Sequence, residues 1–246
     1  MGNLISKQTD ANFDSNPTIP IISKELNEEI MPYSKLNSFK EFSLFNPDAE
    51  RFENFGKMHR WRFDKSADWY PVVQNGYSIK LSETGMTLPT KKYSISFIYN
   101  LQATHHHWNN IFHISNDGSN YSRSPAMWVI PGTTHLHLRI STNSWWNDGL
   151  DTNHHNMRTI NLHEQVLIVM TVDNNVCTIY YDGVNVVSKR FNNIHEIRPD
   201  ATLFIGEPWS WNNGKINIKN FTLYDGVLSP RDIDNIYKET RFAYSV

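Results

Sequence analysis

Between residues 61 and 224 the chain is a succession of short runs in which β-branched and aromatic residues alternate with polar ones, and each run closes after a few residues on Asn, Asp, Gly or Pro. Alternation at period two sends successive side chains to opposite faces of a strand. Closely spaced turn signals join such strands to antiparallel neighbours, so the pattern predicts an all-β, antiparallel β-sandwich or jelly roll. In residues 93–99 the aromatic and aliphatic side chains share one face and Ser94 and Ser96 take the other, which predicts a half-buried strand. Residues 166–172 form a nearly continuous apolar run, as expected of a central strand covered on both faces. Asp173-Asn174-Asn175 turns the chain into residues 176–181, and Asp182-Gly183 supplies the positive backbone angles of a tight hairpin turn into residues 184–187. Residues 201–206 and 216–224 add strands uninterrupted by proline. Ser229-Pro230-Arg231-Asp232 opens a short C-terminal helix, with Ser229 as cap, Pro230 at the first position and Asp232 near the positive dipole end. Ile233, Ile236 and Tyr237 fall on one side of it, expected to close one end of the sandwich.

At 246 residues, the chain divides on this reading into an extended N-terminal arm, 1–60, and a sandwich, 61–246. Aromatic content of 13% and 39% hydrophobic residues suffice for a sizeable core. A net charge of −2 provides no broad basic field, which argues against nucleic acid as a partner. The single cysteine, Cys177, sits at a strand position expected to be buried. No disulfide can form within the chain, and no apolar signal segment opens it, which points to an intracellular, reducing compartment. On that expectation the sequons at Asn120 and Asn220 stay unmodified. No run approaches the roughly 20 apolar residues of a membrane-spanning helix.

Residues 1–7, Met-Gly-Asn-Leu-Ile-Ser-Lys, fit the pattern for N-myristoylation at Gly2. One myristoyl chain binds membranes only marginally, with K of roughly 10⁴ M⁻¹, and Lys7 stands alone without a polybasic run. A second signal would come from a partner or from many copies on one assembly. Pro17, Pro20 and Pro32 bias residues 8–33 toward extended backbone, and Leu36, Phe39 and Phe42 predict a short helix within 34–45.

Three groups of residues are candidates for recognition. His135, His137 and Arg139 alternate with apolar residues and project together, either as a polar stripe on the concave face of a jelly roll or as a solvated outer surface. Trp145-Trp146-Asn147-Asp148-Gly149 and Trp209-Ser210-Trp211-Asn212-Asn213-Gly214 place indoles beside amides and carboxylates in loops. That chemistry suits the apolar face and hydroxyls of a sugar, a protein interface, or lids folded onto the core. His105, His106 and His107 with His154 and His155 raise a metal, but adjacent residues of an extended segment point apart and do not form one coordination shell.

Residues 180–184, 203–206 and 218–229, in that order and spacing, resemble the closing half of the concanavalin A-like lectin/glucanase superfamily in its laminin G-like branch. Residues 93–99, 111–114, 123–132 and 136–140 are similar to its first half, so the resemblance spans about 61–240. It implies a jelly roll, and it raises calcium, which such domains hold through an Asp and backbone carbonyls. Asp117 and Asp148 are the candidate equivalents, and no other cofactor is implied. The superfamily's glucanases carry paired acids on alternate strand positions. No strand here has a Glu-x-Asp-x-x-Glu pattern: Asp48, Glu50 and Glu53 precede the sandwich, and Glu164 stands before a buried strand without a partner. The expectation is therefore a protein with no catalytic residues. The N-terminus and thiol count make it resemble a lipid-anchored structural or interaction protein of a large DNA virus particle, contacting proteins. The alternative is a carbohydrate-binding, lectin-like module, with a glycoside hydrolase behind both.

Overall fold

The computed structural model describes residues 58–86, 91–154 and 157–242. The arm up to residue 57, with Gly2 and the helix expected within 34–45, lies outside the described residues.

In chain order the strands are β1 (Arg60–Arg62), β2 (Tyr70–Val73), β3 (Tyr77–Lys80), β4 (Lys92–Leu101), β5 (Asn109–Ser115), β6 (Ala126–Val129), β7 (Leu136–Ile140), β8 (Asp148–Asp151), β9 (Gln165–Asp173), β10 (Val176–Tyr181), β11 (Val184–Arg190), β12 (Thr202–Ile205) and β13 (Asn213–Tyr224), and helix α1 (Pro230–Phe242) follows. They form two antiparallel sheets. The first has the order β1-β13-β4-β9-β10-β11, with β2 also paired to β13, and the second the order β3-β12-β5-β6-β7-β8. This is the expected all-β sandwich with one C-terminal helix.

The sheets meet through the side chains that alternation assigned to one face. Ile95, Phe97 and Tyr99 of β4, Val166, Ile168 and Met170 of β9, and Leu136, Leu138 and Ile140 of β7 share one buried cluster with Phe112 and Phe221. Phe97 stacks on Phe221 at 5.7 Å between centroids and meets Phe112 edge-on at 6.0 Å. Burying one such side chain contributes roughly 1.5–3 kcal/mol. The β10–β11 turn has φ of 49° at Asp182 and 84° at Gly183, the left-handed pair a two-residue hairpin requires.

Two expectations are corrected. Strand β4 is buried on both faces apart from Lys92, not half-buried. Ser94 Oγ donates to Gly226 O at 2.9 Å and accepts from Leu228 N at 2.9 Å, while Ser96 Oγ lies 3.1 Å from Tyr224 Oη. The serines are thus interior groups satisfied by the segment that follows β13. Helix α1 does not close an end of the sandwich. Ile233 and Ile236 pack on Ile98, Leu167, Val169 and Tyr224, which point away from the main core, so the helix covers the outer face of the first sheet. Its start is as read: Asp232 N donates to Ser229 Oγ at 3.1 Å and Ser229 N to Asp232 Oδ2 at 3.0 Å, a reciprocal cap.

With α1 over the middle of the first sheet, the outer face of the second sheet carries the residues singled out from the sequence.

Candidate functional site

On β5, β6 and β7 the residues between the core positions are His113, Trp128, His137 and Arg139, which register places side by side: Trp128 opposite His137 and Ala126 opposite both Arg139 and His113. Their outer surface is roofed. Glu207, just beyond β12, is buried with His113, and its carboxylate contacts the imidazole Nδ1 and accepts from Trp128 Nε1 at 3.0 Å and from Ser210 Oγ. His113 Nε2 lies 2.7 Å from Ser122 O, and because a carbonyl only accepts, Nε2 carries a proton. Trp209 and Phe204 set their rings against this imidazole at 5.3 and 6.4 Å. The Arg123 guanidinium stacks on Trp128 and on Trp146 at 4.6 Å each, and donates to Asn120 O at 3.1 Å and to Asn147 Oδ1. An aromatic and charge-paired third layer therefore fills the middle of the face, where an open cleft would otherwise lie.

The expected stripe is part of this layer. His137 and Arg139 project outward from β7 with only 13% of each side chain exposed, and His135 precedes the strand. Asp151 of β8 ties them down: its Oδ1 lies 2.7 Å from His137 Nδ1 and accepts from Arg139 Nη1 at 2.9 Å, and its Oδ2 accepts from Nη2 at 3.3 Å. Burial works to raise the Asp151 pKa, but the contacts to His137 and Arg139 outweigh it and bring it down to about 2. Burial likewise lowers the pKa of His137.

The four tryptophans read from the sequence do not converge on one site. Trp145 and Trp146 lie in the β7–β8 loop, which leaves the sheet beyond Ile140, whereas Trp209 and Trp211 lie in the β12–β13 loop, which leaves beyond Ile205 at the other end of the strands. All four are partly solvent-exposed; Trp209 and Trp146 also cover interior groups, Trp209 against His113 and Phe204 and Trp146 against Arg123. Trp145, 53% exposed, forms one wall of a pocket of about 390 Å³ at the β8 edge, facing β11. Asn147, Asp148, Asp151, His154, Ser188 and Lys189 line the rest, with Arg139 at the back. Lys189 Nζ donates to Asp148 Oδ1 at 2.7 Å and to Gly149 O at 2.8 Å. The carboxylates here are thus held by cations of the chain itself.

The calcium candidates are likewise engaged within the chain, Asp148 by a cation and Asp117 by neutral donors. Asp148 is the carboxylate paired with Lys189, and Asp117 Oδ1 accepts from Ser119 N at 2.9 Å and Ser115 Oγ at 3.2 Å. Those bonds, led by the Ser119 backbone donor, hold Asp117 below the usual carboxylate range. Among the described residues no three His, Cys, Asp or Glu side chains gather as a metal group, His105 to His107 included. Glu164 binds Arg158, which also donates to Asp182 at 2.6 Å.

His113, Trp128, Arg123 and Glu207 were not singled out. A His and a Trp on the outward positions of 111–114 and 126–129 were signals in plain alternation. Glu207 had none, because it meets His113 across 94 residues.

A family model described as the concanavalin A-like lectin/glucanases superfamily, of the laminin G kind, matches residues 74–234. The chain belongs to this superfamily. The crystal structure of a botulinum neurotoxin serotype D binding domain superposes with a TM-score of 0.53 at 12% identity, over 74% of this chain and 46% of that one. The receptor binding domain of botulinum neurotoxin D gives 0.53 at 13% identity, over 74% and 48%. The chain spans under half the length of either, and at such identity the likeness is one of fold. No curated protein matches the sequence at a significant level.

Proposed function

We propose that this chain is a non-catalytic binding module that takes a carbohydrate in the pocket beside Trp145. The observation that carries the reading is the exposed Trp145 lining one pocket with Asn147, Asp148 and Asp151, an apolar group beside hydrogen-bonding groups held by Arg123, Lys189 and Arg139 respectively. A sugar presents the complementary pair of surfaces, an apolar ring face and a rim of hydroxyls. The state of two acids supports the non-catalytic reading. A glycosidase needs one protonated carboxyl near its substrate, whereas Asp151 is ionised above about pH 2 and Glu207 is sealed under Trp209 and bound to His113.

The N-terminal pattern extends the proposal to a protein lipid-anchored at Gly2 and displayed on a membrane or a viral particle. A second reading, contact with a neighbouring protein there, is favoured by the exposed Tyr121, which meets Trp146 edge-to-face at 4.9 Å. Such aromatic pairs are enriched at the energetic centres of protein interfaces. Titration of the full chain against a glycan panel tests the first reading: Trp145→Ala is expected to weaken the preferred glycan at least about tenfold, the ~1.4 kcal/mol that loss of one ring contact represents. Failure of every glycan to bind, with retention of the protein in a particle shell through a surface disrupted by Tyr121→Ala, would replace it with the second.

A further inference from the structure

The opposite end of the second sheet carries a different surface. Loops 73–76, 102–108, 130–135 and 206–214 come together there: Gly132 N donates to His105 O at 2.7 Å, Gln74 Nε2 to Pro208 O at 2.8 Å, and Gly76 N to Gly206 O at 3.3 Å. The His107 and Trp211 rings lie 6.3 Å apart. Trp211 is 58% exposed and Trp108 43%, with Trp209 and Val73 also in part at the surface. In these four loops Lys, Arg and Asp do not occur, and the one acidic residue, Glu207, is buried. The four loops thus contribute no exposed carboxylate of their own, and Asp151, which reaches the Trp108 side through His137, is held by His137 and Arg139.

We infer that this end of the sandwich is a membrane-contact surface, seated on a phospholipid bilayer with the indoles of Trp108 and Trp211 at the level of the headgroups. Indole combines an apolar body with one N–H donor and is enriched at the membrane interface for that reason. A carboxylate brought to the same depth would meet the negative potential of anionic lipids and lose hydration. The loops have the composition that such contact selects, aromatic and histidine-rich without exposed acids. The contact is shallow, since no helix among the described residues is long and apolar enough to cross a bilayer. It also supplies what a single acyl chain at Gly2 lacks. One myristoyl group is a marginal anchor, and a second weak contact on the same chain acts at high effective concentration. Trp145 itself lies in the β7–β8 loop at the other end of the strands, while the pocket it walls runs along β8 as far as Asp151 and His154.

The test uses the full chain produced without acylation. Co-sedimentation with phosphatidylcholine vesicles containing phosphatidylserine, read together with a blue shift of tryptophan emission, is expected to show binding. The variant W108A/W211A is expected to lower the partition coefficient at least about tenfold, and Trp145→Ala to leave it unchanged. If the double variant melts abnormally, Trp211→Glu, which adds one carboxylate at the most exposed ring, is expected to give the same loss. Three results would overturn the inference: no vesicle binding by the unacylated chain, binding unaltered by these substitutions, or capture only by glycolipid-bearing vesicles with release by free sugar. The last would assign this end to glycan as well, while failure of the Trp145 pocket to bind sugar would leave the membrane contact standing.

Discussion

Replacement of Glu207 separates the roofed architecture from an open cleft. In Glu207→Ala the Trp128 indole N–H keeps only Ser210, which itself loses its acceptor, and His113 Nδ1 faces a void, all inside a layer closed by Trp209. Orphaning each buried polar group costs about 1–3 kcal/mol, and breaking a buried pair by removing one member about 3–5 kcal/mol. For a domain of this size each kcal/mol moves Tm by roughly 2–4 °C, so a fall of about 6–20 °C is expected. Glu207→Gln is predicted to behave differently. Its amide oxygen accepts from Trp128 Nε1 as the carboxylate does, and its NH₂ donates to His113 Nδ1 while Nε2 goes on donating to Ser122 O. That substitution is expected to cost under about 1.5 kcal/mol. Urea unfolding followed by tryptophan emission measures both. A Gln variant as damaged as the Ala variant, or an Ala variant within about 1 kcal/mol of wild type, would refute the roof described above.

Three further outcomes are expected. Asp151 has its pKa brought down to about 2, so the stability it contributes is fully present above its unfolded range near 4 and is lost as pH falls through about 2. With the carboxylate partly exposed this amounts to about 1–2 kcal/mol; Asp151→Asn is expected to lower Tm at pH 7 and to flatten the acid limb of the Tm profile between pH 4 and 2. Gly206 has φ of 73°, and a Cβ there would lie 1.9 Å from Val73 O, so Gly206→Ala is expected to cost at least about 2 kcal/mol in chemical denaturation. Burial pushes the Cys177 thiol up, and a thiol reagent is expected to modify it only in denaturant, in proportion to the unfolded fraction.

Much of the sandwich was legible because period-two alternation is a local property. Residues 166–172, the Asp182-Gly183 turn and the Ser229 cap each carry their instruction within a few positions, and each forms as read. The burial of Ser94 and Ser96 was not legible, since the groups that satisfy them, Gly226, Leu228 and Tyr224, lie some 130 positions away. The same separation hid the roof: nothing near Glu207 indicates His113, and nothing near Arg123 indicates that its guanidinium lies between Trp128 and Trp146.

The amino-acid order by itself determined most of the strands from β4 onward, several of the turns and that the loops are rich in tryptophan, although Asp148-Gly149 and Asn213-Gly214, read as loop, belong to β8 and β13. Only the tertiary structure decided that Trp145 and Trp211 belong to opposite ends, that α1 covers the first sheet, and that the outer face of the second is filled rather than open. The physical reason is that alternation fixes the direction of a side chain relative to its own strand, whereas what it meets depends on the register of strands paired across a hundred residues.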